Sequence, residues 1–484
     1  MKTLQPAEVW KYFYEILKIP RLSKNEQQII AYLENFAAQY SLEFRQDEVG
    51  NCLITKAASK GFEDREIIVL QSHIDMVGEK LLDVEHDFSR DPIKAIVKDG
   101  WVTADGTTLG ADDGIGVAAT MAILASDSIK HGPLECLFTV DEETGMSGAF
   151  GLATNFIKGK ILLNLDSEDE GEIFIGCAGG IDTIGSFKKE FLRPGKDSVA
   201  LEFVIEGLQG GHSGDEIHKG FANAIKIMNR LLWNLDQHFE MHISSFEGGK
   251  LRNAIPREAN AKIVVKKAEL EEINMFFASF ITDVSKEIMS VEPGFKMSLQ
   301  QIDIPEKCLT VDFQRRLMNV IYACPHGVIS WSNDIPGLVE TSTNMAVLKN
   351  TDADSIELLT SQRSSVASAK QDIANRIGAL FTLGGANVRH SSGYPGWKPD
   401  KNSKILSISL TVYKKLFKKA PEVKAIHAGL ECGLFLQKYP ELDMISFGPT
   451  IKGAHTPEER LEIKSLSRFW DFLLELLKNA PRKE

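Results

Sequence analysis

Histidine and carboxylate side chains recur at a few points of the sequence, each just after a short apolar run or a glycine-rich turn. In chain order they are His73 with Asp75, the pair Asp112–Asp113, the pair Glu142–Glu143, Asp166 with Glu168, and His455. If they were brought together, so many carboxylates would repel one another, and their pKa values would rise unless a cation neutralised them. A pair of divalent metal ions would remove that repulsion.

The mixture of ligand types indicates which metal is bound. Imidazole together with carboxylate suits zinc, whereas an all-oxygen set would suit magnesium or calcium. Two zinc ions can share a bridging carboxylate and a bridging water, which becomes hydroxide near neutral pH. The residue types therefore predict hydrolytic chemistry.

The apolar runs that precede these residues are short and bounded by polar residues, which is typical of strands buried on both faces of an α/β sheet. They are Glu66–Leu70, Leu134–Val140, Lys160–Leu165 and Met444–Phe447, with a helix predicted over Gly110–Ser126. In an open α/β sheet, ligands bind beyond the carboxyl ends of the strands. The four strands should therefore direct their histidines and carboxylates to one rim.

Each group also has an ordinary structural interpretation. His73 with Asp75 could form a surface hydrogen bond, the Glu142–Glu143 pair could be a solvated loop, and Asp112–Asp113 could cap a helix. Their common placement at strand ends favours a shared site over three unrelated ones. His212, His218 and His427 stay ambiguous on spacing alone. The remaining histidines are predicted to be structural, namely His86, His131, His238, His242, His326 and His390.

The bulk composition excludes several classes of function. The 484 residues carry a net charge of -12, which disfavours nucleic-acid binding because phosphate contacts need clustered Lys and Arg. No apolar stretch approaches the ~20 residues needed to cross a bilayer, so no membrane role is expected. The first ten residues lack the apolar core of a secretory signal. Six scattered cysteines without a CxxC pair, together with that N-terminus, predict a cytoplasmic protein with reduced thiols.

The chain is too long for one ordinary core, and its pattern changes twice. Ser23 and Glu26 form a capping-box pattern before a helical run, and strand-like and helical segments then alternate. A polar, punctuated stretch after Phe187 and a second one from Val388 to Asp400 indicate crossovers. We therefore predict a catalytic α/β domain over 1–189 and 395–484 with a mixed, mostly parallel sheet flanked by helices. An α+β lid or dimerisation domain over 190–394 is inserted in it.

The motifs together resemble those of the M20 metallopeptidases, in the branch of bacterial aminoacyl-histidine dipeptidases. The similarity extends over essentially the whole chain, and the order and intervals of the motifs match together. The segments that carry it are His73-Ile-Asp-Met-Val77, Thr108-Leu-Gly-Ala-Asp-Asp-Gly-Ile-Gly116, Val140-Asp-Glu-Glu-Thr-Gly145, Asn164-Leu-Asp-Ser-Glu168, Gly176-Cys-Ala-Gly-Gly180, Gly210-Gly-His-Ser-Gly214, His427-Ala-Gly-Leu-Glu-Cys-Gly433 and Gly448-Pro-Thr-Ile451. Gly78 departs from the proline that many members carry after the first motif.

The resemblance implies roles for the residues of the predicted rim. Asp112 would bridge two zinc ions, with His73 and Asp166 completing one site and Glu143 and His455 the other; cobalt or manganese would substitute for zinc. Glu142 would be the general base, and Asp75 would orient His73. The Asp112–Asp113 peptide bond would be cis.

For the inserted domain, the resemblance implies a role in substrate recognition. His212 is similar to the histidine that stabilises the tetrahedral oxyanion, and Arg363 to the arginine that grips the free carboxylate of the substrate. Asn253 and His427 are further substrate-contact candidates. The inserted domain is expected either to form a homodimer or to close over the site within one chain.

The predicted activity is hydrolysis of unblocked dipeptides, including Xaa-His pairs, in the cytoplasm. The alternative within enzymes is an amidohydrolase acting on N-acyl amino acids with the same di-zinc core. The long inserted domain, and Asp166 in place of the glutamate of many deacylase relatives, favour the dipeptidase. A non-catalytic metal-binding protein is the alternative from another class, and the presence of Glu142 argues against it.

Overall fold

The structure of the protein is a computed structural model that describes residues 4–352 and 354–483. The chain forms two compact units. Unit 1 extends to Cys177 and resumes over Trp397–Ala425 and from Leu430 onward. Unit 2 comprises Ala178–Gly396 and Ile426–Gly429.

Helices and strands follow one another closely along both units. The helices are α1 (Ala7–Ile16), α2 (Gln27–Gln39), α3 (Ala111–Ala125), α4 (Glu142–Gly145), α5 (Ser147–Gly151), α6 (Ala224–His238), α7 (Leu270–Ile288), α8 (Val311–Ala323), α9 (Ala367–Leu383), α10 (Lys404–Phe417), α11 (Glu431–Lys438) and α12 (Ile463–Lys478), with 3₁₀ turns at Ile217–Lys219 and Lys267–Glu269. The strands are β1 (Glu43–Gln46), β2 (Cys52–Lys56), β3 (Ile68–His73), β4 (Ala95–Lys98), β5 (Trp101–Ala104), β6 (Leu134–Thr139), β7 (Ile161–Asn164), β8 (Glu172–Cys177), β9 (Gly179–Lys188), β10 (Phe191–Leu192), β11 (Ser198–Glu206), β12 (Met241–Gly248), β13 (Ala259–Lys266), β14 (Lys296–Ile302), β15 (Cys308–Leu309), β16 (Gly327–Trp331), β17 (Val339–Asn350), β18 (Ser355–Ser364), β19 (Asn387–His390), β20 (Glu422–Ile426), β21 (Asp443–Ser446), β22 (Ile451–Lys452) and β23 (Arg460–Glu462). Among the described residues, no helix is both long and apolar enough to span a bilayer.

The main sheet of unit 1 has the strand order β1-β2-β6-β3-β7-β21-β8-β20. Its central strands β6, β3, β7 and β21 run parallel, while β1 and β2 on one side and β8 on the other add antiparallel pairs. Every residue of β3, β6 and β7 is buried, as expected for strands covered on both faces. The predicted mixed α/β fold is confirmed, and the carboxyl ends of the four central strands share one rim.

A smaller sheet supports the same rim. It has the order β22-β23-β5-β4, and its strands pair antiparallel throughout. The loop between β22 and β23 carries His455, so this sheet determines where that imidazole lies.

Helix α3 is apolar on nearly all sides, which explains why it lies in the interior against α1 and β3. The backbone carbonyl groups at the end of this helix accept hydrogen bonds from a side chain of the main sheet. Lys56 Nζ donates to the carbonyl oxygens of Ile123, Leu124 and Ser126 at 3.1, 2.9 and 2.5 Å. A cation at this end of the helix also complements the helix dipole.

Unit 2 is an α+β unit built on the strand order β14-β11-β13-β12-β17-β18-β9-β19, with β16 paired to β17. All of these neighbours are antiparallel. Apolar residues from alternate positions of the strands join those of α6, α7, α8 and α9 in one core. β9 pairs with β18 along its whole length and therefore belongs to unit 2, although it precedes residue 190. The function of this unit as a lid or dimerisation domain stays a prediction.

We expect Lys56→Met to lower the free energy of unfolding by about 1–2 kcal/mol, because the last carbonyls of α3 lose a charged donor while the aliphatic stem is retained. Equilibrium denaturation monitored by circular dichroism measures the change. Lys60→Met, at an exposed position, is the matched control and should leave the value unchanged. Equal stabilities of the two variants would show that Lys56 does not cap α3.

Candidate active site

Two imidazoles lie on opposite sides of the Asp112 carboxylate. His73 Nε2 is 3.0 Å from Asp112 Oδ1, and His455 Nε2 is 3.1 Å from Asp112 Oδ2. Each imidazole also faces a second carboxylate: Asp166 Oδ1 lies 3.4 Å from His73 Nε2, and Glu143 Oε2 lies 2.9 Å from His455 Nε2. Two groups of one histidine and two carboxylates therefore share Asp112.

The backbone around Asp112 is irregular although it lies at the start of α3. The Asp112–Asp113 peptide bond is cis, so the prediction for this bond is confirmed. Both residues have non-helical dihedral angles, and Gly110 before them has a φ of 68°, in the left-handed region that glycine adopts at little cost. The side chain of Asp113 is buried, and its Oδ1 accepts a hydrogen bond from the Gly116 N–H at 3.2 Å.

Left-handed backbone also occurs at non-glycine residues of this site. His455 has a φ of 63°, and Asp141 and Met146, which flank α4, have φ values of 53° and 52°. Such conformations cost free energy and persist only where the surroundings enforce them, which is common at functional sites. Here they orient the loop of His455 and the short helix that carries Glu142 and Glu143.

Asp75 connects His73 to that helix. Its Oδ1 lies 3.3 Å from His73 Nδ1 and accepts the backbone N–H of Glu142 at 3.0 Å, while its Oδ2 accepts the N–H of Glu143 at 3.1 Å. Burial would raise the pKa of Asp75, but the hydrogen bonds from His73, Ser23 and the backbone lower it to about 2. An ionised Asp75 fixes the ring of His73 with Nε2 directed at Asp112.

The capping box predicted before α2 is wrong. Helix α2 begins at Gln27 without a side-chain cap, because both residues of the pattern are used elsewhere. Ser23 Oγ donates to Asp75 Oδ2 at 2.8 Å, and Glu26 Oε1 accepts the backbone N–H of Asp141 at 3.0 Å. The two side chains support the loops of the site instead of the helix.

The rim concentrates more negative charge than the protein neutralises. Burial, together with Glu431, Glu143 and Asp112, raises the pKa of Glu142 to about 8 despite the proximity of His73. Burial and Asp112 likewise raise the pKa of Asp113 to about 8 and that of Glu168 to about 7.

Two further observations indicate that the histidines and carboxylates around Asp112 could hold a metal ion. Donor atoms of His73, Asp112 and Glu143 lie within 4.8 Å of one another, and Glu143 Oε1 is buried without a hydrogen-bond partner. A divalent cation would both satisfy that oxygen and neutralise the surplus charge. The mixed nitrogen and oxygen donors are of the kind that zinc binds.

The substrate-contact candidates lie in unit 2, where they line two cavities. A cavity of about 90 Å³ is lined by Arg363, Asn253 and Tyr394, and Asn253 also lines a cavity of about 890 Å³ together with His212. Arg363 is 7% exposed, and its Nη1 donates to the Tyr394 hydroxyl at 2.9 Å while its Nε has no partner. Gly180, which is opposite Arg363 in the sheet, makes room for that tyrosine, since a Cβ there would lie 2.6 Å from the ring.

The two histidines of unit 2 differ in their surroundings. His427 is buried with Nε2 at 2.7 Å from Ser342 Oγ, and burial and Arg363 lower its pKa to about 3, so the ring is neutral. His212 is more exposed; its Nδ1 accepts the backbone N–H of Asp215 at 3.2 Å, and Asp215 Oδ2 lies at the same distance. The structure thus places His212 and Arg363 on two cavities that share Asn253 as a lining residue, and it buries His427 beside Ser342.

The buried charged residues of unit 1 that were not predicted include Arg21, Glu431 and Glu459, exposed by 2%, 1% and 2%. Glu431 Oε2 accepts hydrogen bonds from Gln71 Nε2 and Thr139 Oγ1 at 2.7 and 2.8 Å. Glu431 lies inside the His427–Gly433 motif and Glu459 follows His455 by four positions, whereas Arg21 is distant from every motif; nothing in their own spacing indicates burial.

The profile of peptidase family M20/M25/M40 matches residues 69–479. The chain belongs to this family. It is 41% identical to the cytosol non-specific dipeptidase of Escherichia coli (strain K12), over 100% of this chain and 99% of the relative. The crystal structure of an aminoacylhistidine dipeptidase from Vibrio alginolyticus is similar with a TM-score of 0.93 and 40% identity, covering 100% of this chain and 98% of that one. A tripeptidase from Staphylococcus aureus shares the fold, with a TM-score of 0.57 and 17% identity over 99% of both chains. The protein is a hydrolase that acts on peptide bonds.

Proposed function

We propose that the protein is a dipeptidase that binds two zinc ions and hydrolyses unblocked dipeptides, including Xaa-His. The observation that carries the proposal is the position of Asp112, whose oxygens face His73 on one side and His455 on the other. The full-length similarity to a non-specific dipeptidase supports the substrate class. The name of that relative and the buried, unpaired cysteines favour the cytoplasm as the location.

In this proposal, His73, Asp112 and Asp166 hold one ion, and Asp112, Glu143 and His455 hold the other. When bound, the two ions would polarise the scissile carbonyl and lower the pKa of an attacking water. Cobalt or manganese would occupy the same ligands, since affinity for such donors differs between these metals by degree.

Glu142 is the proposed general base. It neighbours Glu143 on α4, and Asp75 holds the backbone N–H groups of both, while the Glu143 carboxylate faces His455. The Glu142 carboxylate takes a proton from the attacking water and passes it to the nitrogen of the leaving amine.

His212 is proposed to stabilise the oxyanion. Asp215 contacts Nδ1 through both its backbone N–H and its carboxylate, so the N–H of Nε2 is the ring donor proposed to face the substrate. That N–H can donate to the carbonyl oxygen as negative charge develops on it, which lowers the barrier more than it strengthens substrate binding.

Arg363 is proposed to bind the C-terminal carboxylate of the substrate, with Asn253 and His427 beside it. The guanidinium is buried, and its Nε lacks a partner, so it can pair with a carboxylate through a planar fork. A fixed positive charge at this point would bind the C-terminal carboxylate of the substrate, so that the peptide bond one residue from that end is the one presented for hydrolysis.

The substrate class is tested by comparing Ala-His with N-acetyl-His on metal-stripped protein reloaded with zinc. We expect kcat/KM for the dipeptide to be higher by at least about 100-fold. A dipeptidase site is built to bind the free ammonium of Ala-His, and N-acetyl-His, which has no ammonium group, would leave the polar groups of that site without partners. A preference for N-acetyl-His would replace the dipeptidase with the deacylase. A zinc-loaded protein that turns over neither substrate would favour a metal-binding protein without this activity.

For the general base, we expect Glu142→Gln to lose about 10²–10⁴-fold in kcat while it retains both zinc ions. Glu143→Gln, the neighbouring isosteric change, should lose bound metal because a ligand oxygen is replaced by an amide. Metal content after gel filtration and steady-state kinetics measure the two effects. Loss of metal from Glu142→Gln together with retention in Glu143→Gln would exchange the two assignments.

For carboxylate recognition, we expect Arg363→Ala to lower kcat/KM for a dipeptide by at least about 30-fold, from the loss of about 2–5 kcal/mol when one partner of a buried pair is truncated. The effect should act through KM, and the dipeptide amide should lose far less. Arg389→Ala, at an exposed arginine of the same unit, serves as the control. Equal losses on dipeptide and amide would exclude Arg363 as the carboxylate ligand.

A further inference from the structure

A single buried carboxylate accepts the backbone N–H groups at the start of α3. Glu459 Oε2 accepts those of Leu109 and Gly110 at 2.8 and 2.9 Å, and Oε1 accepts those of Ala111 and Asp112 at 2.7 and 3.3 Å. The last of these residues is the one that faces both imidazoles. Glu459 therefore holds the peptide segment that ends in Asp112.

The segment cannot be held by a local cap. The first N–H groups of a helix have no partners within the helix, and a side chain at the N-cap normally satisfies one or two of them. The N-cap of α3 is Gly110, which has no side chain. A carboxylate from a distant part of the sequence satisfies these donors, and its negative charge is favourable at this end of the helix.

Glu459 also belongs to the loop that carries His455. It follows that histidine by four positions, its N–H donates to the Thr456 carbonyl at 3.0 Å, and its carbonyl accepts from Thr103 Oγ1 of β5 at 2.9 Å. The backbone of Glu459 is therefore anchored to the small sheet, while its side chain reaches the loop of Asp112. The contact sets the distance between the two ligand loops.

Arg21 makes the complementary contacts from the other side. Its Nη1 donates to the carbonyl oxygens of Ile74 and Asp75 at 3.0 and 2.6 Å, and its Nη2 donates to that of Gly110. Gly114 leaves the space that this guanidinium needs, because a Cβ there would lie 2.6 Å from Nη2. Arg21 thus joins the loop of Asp112 to the end of β3, which carries His73.

We propose that Glu459 and Arg21 form a positioning clamp that sets Asp112 between His73 and His455 before metal binds. The clamp touches neither substrate nor the reacting atoms, and the proposal rests on the proposed metal site for its functional consequence. The clamp holds backbone donors and acceptors rigidly, because turning either side chain away would leave buried backbone N–H or C=O groups without their hydrogen bonds. Metal affinity is then raised by preorganisation, since the ligands need not be ordered on binding.

The alternative is that Glu459 only stabilises α3. Removal of a purely structural cap would lower the stability of the protein but leave the zinc affinity of the folded molecules unchanged. The two interpretations therefore differ in the metal dissociation constant measured well below the unfolding temperature, and in whether the loss of order is confined to the Asp112 loop.

The test is Glu459→Gln, with Glu458→Gln as the matched control at the neighbouring exposed position. The amide of Gln offers one acceptor oxygen and points two donors at backbone N–H groups, so part of the clamp must open. Zinc affinity is measured by chelator competition, and hydrogen exchange of the segment around 106–116 is measured on metal-free protein. We expect zinc to bind about 10–100-fold more weakly and exchange to accelerate in that segment alone, with kcat lowered and KM of a dipeptide nearly unchanged. Glu459→Asp keeps the charge and should recover part of the affinity.

Parental zinc affinity in folded Glu459→Gln would overturn the clamp, as would exchange that accelerates uniformly over unit 1. If Glu459→Gln does not fold, Glu459→Asp decides between the interpretations by the same two measurements. The exchange experiment uses no metal and no substrate. It therefore reports on the clamp even if the parent binds no zinc or hydrolyses no dipeptide, results that would count against the proposed function.

Discussion

Asp112 presents one carboxylate oxygen to each of two imidazoles, and the loops of unit 1 are arranged around that division. A carboxylate that serves two partners must keep both its position and its orientation, so ordinary side-chain freedom has to be removed. The protein removes it through the backbone: the segment before Asp112 gives its N–H groups to Glu459 and a carbonyl to Arg21. The precision of the site therefore comes from buried contacts that take no part in the chemistry.

The same constraint explains why charges that are costly to bury are found here. A buried ion pair contributes little to stability on average, because desolvation offsets the attraction. Arg21, Asp75 and Glu459 each make hydrogen bonds to two or more backbone groups, so each fixes a loop as well as a charge. An apolar replacement could pack as well, but it could not hold irregular backbone whose N–H and C=O groups lack partners in a helix or sheet.

Sequence patterns predicted the strands that carry the site better than the buried side chains that hold its loops in place. The strands β3, β6, β7 and β21 were predictable because apolar runs of strand length are distinctive, and residues just after them were then placed at one rim. Ser23 and Glu26 were misread because a capping box is a local pattern, while their real partners, Asp75 and Asp141, are distant in sequence. Glu459 and Arg21 could not be found in this way at all, since a charged residue near a loop is usually solvated and only the tertiary fold buries it.

The sites proposed for substrate recognition and for catalysis depend on charge in different ways. In unit 2 burial and the adjacent Arg363 guanidinium lower the pKa of His427 to about 3. In the neutral range His427 therefore adds no positive charge to the site proposed for a substrate carboxylate at Arg363. In unit 1 burial and mutual repulsion move the pKa values of Glu142 and Asp113 to about 8, so a cation bound beside them would change their ionisation. Under the proposed function, loss of metal should therefore change the protonation of Glu142 and Asp113 while leaving the charge at Arg363 as it was.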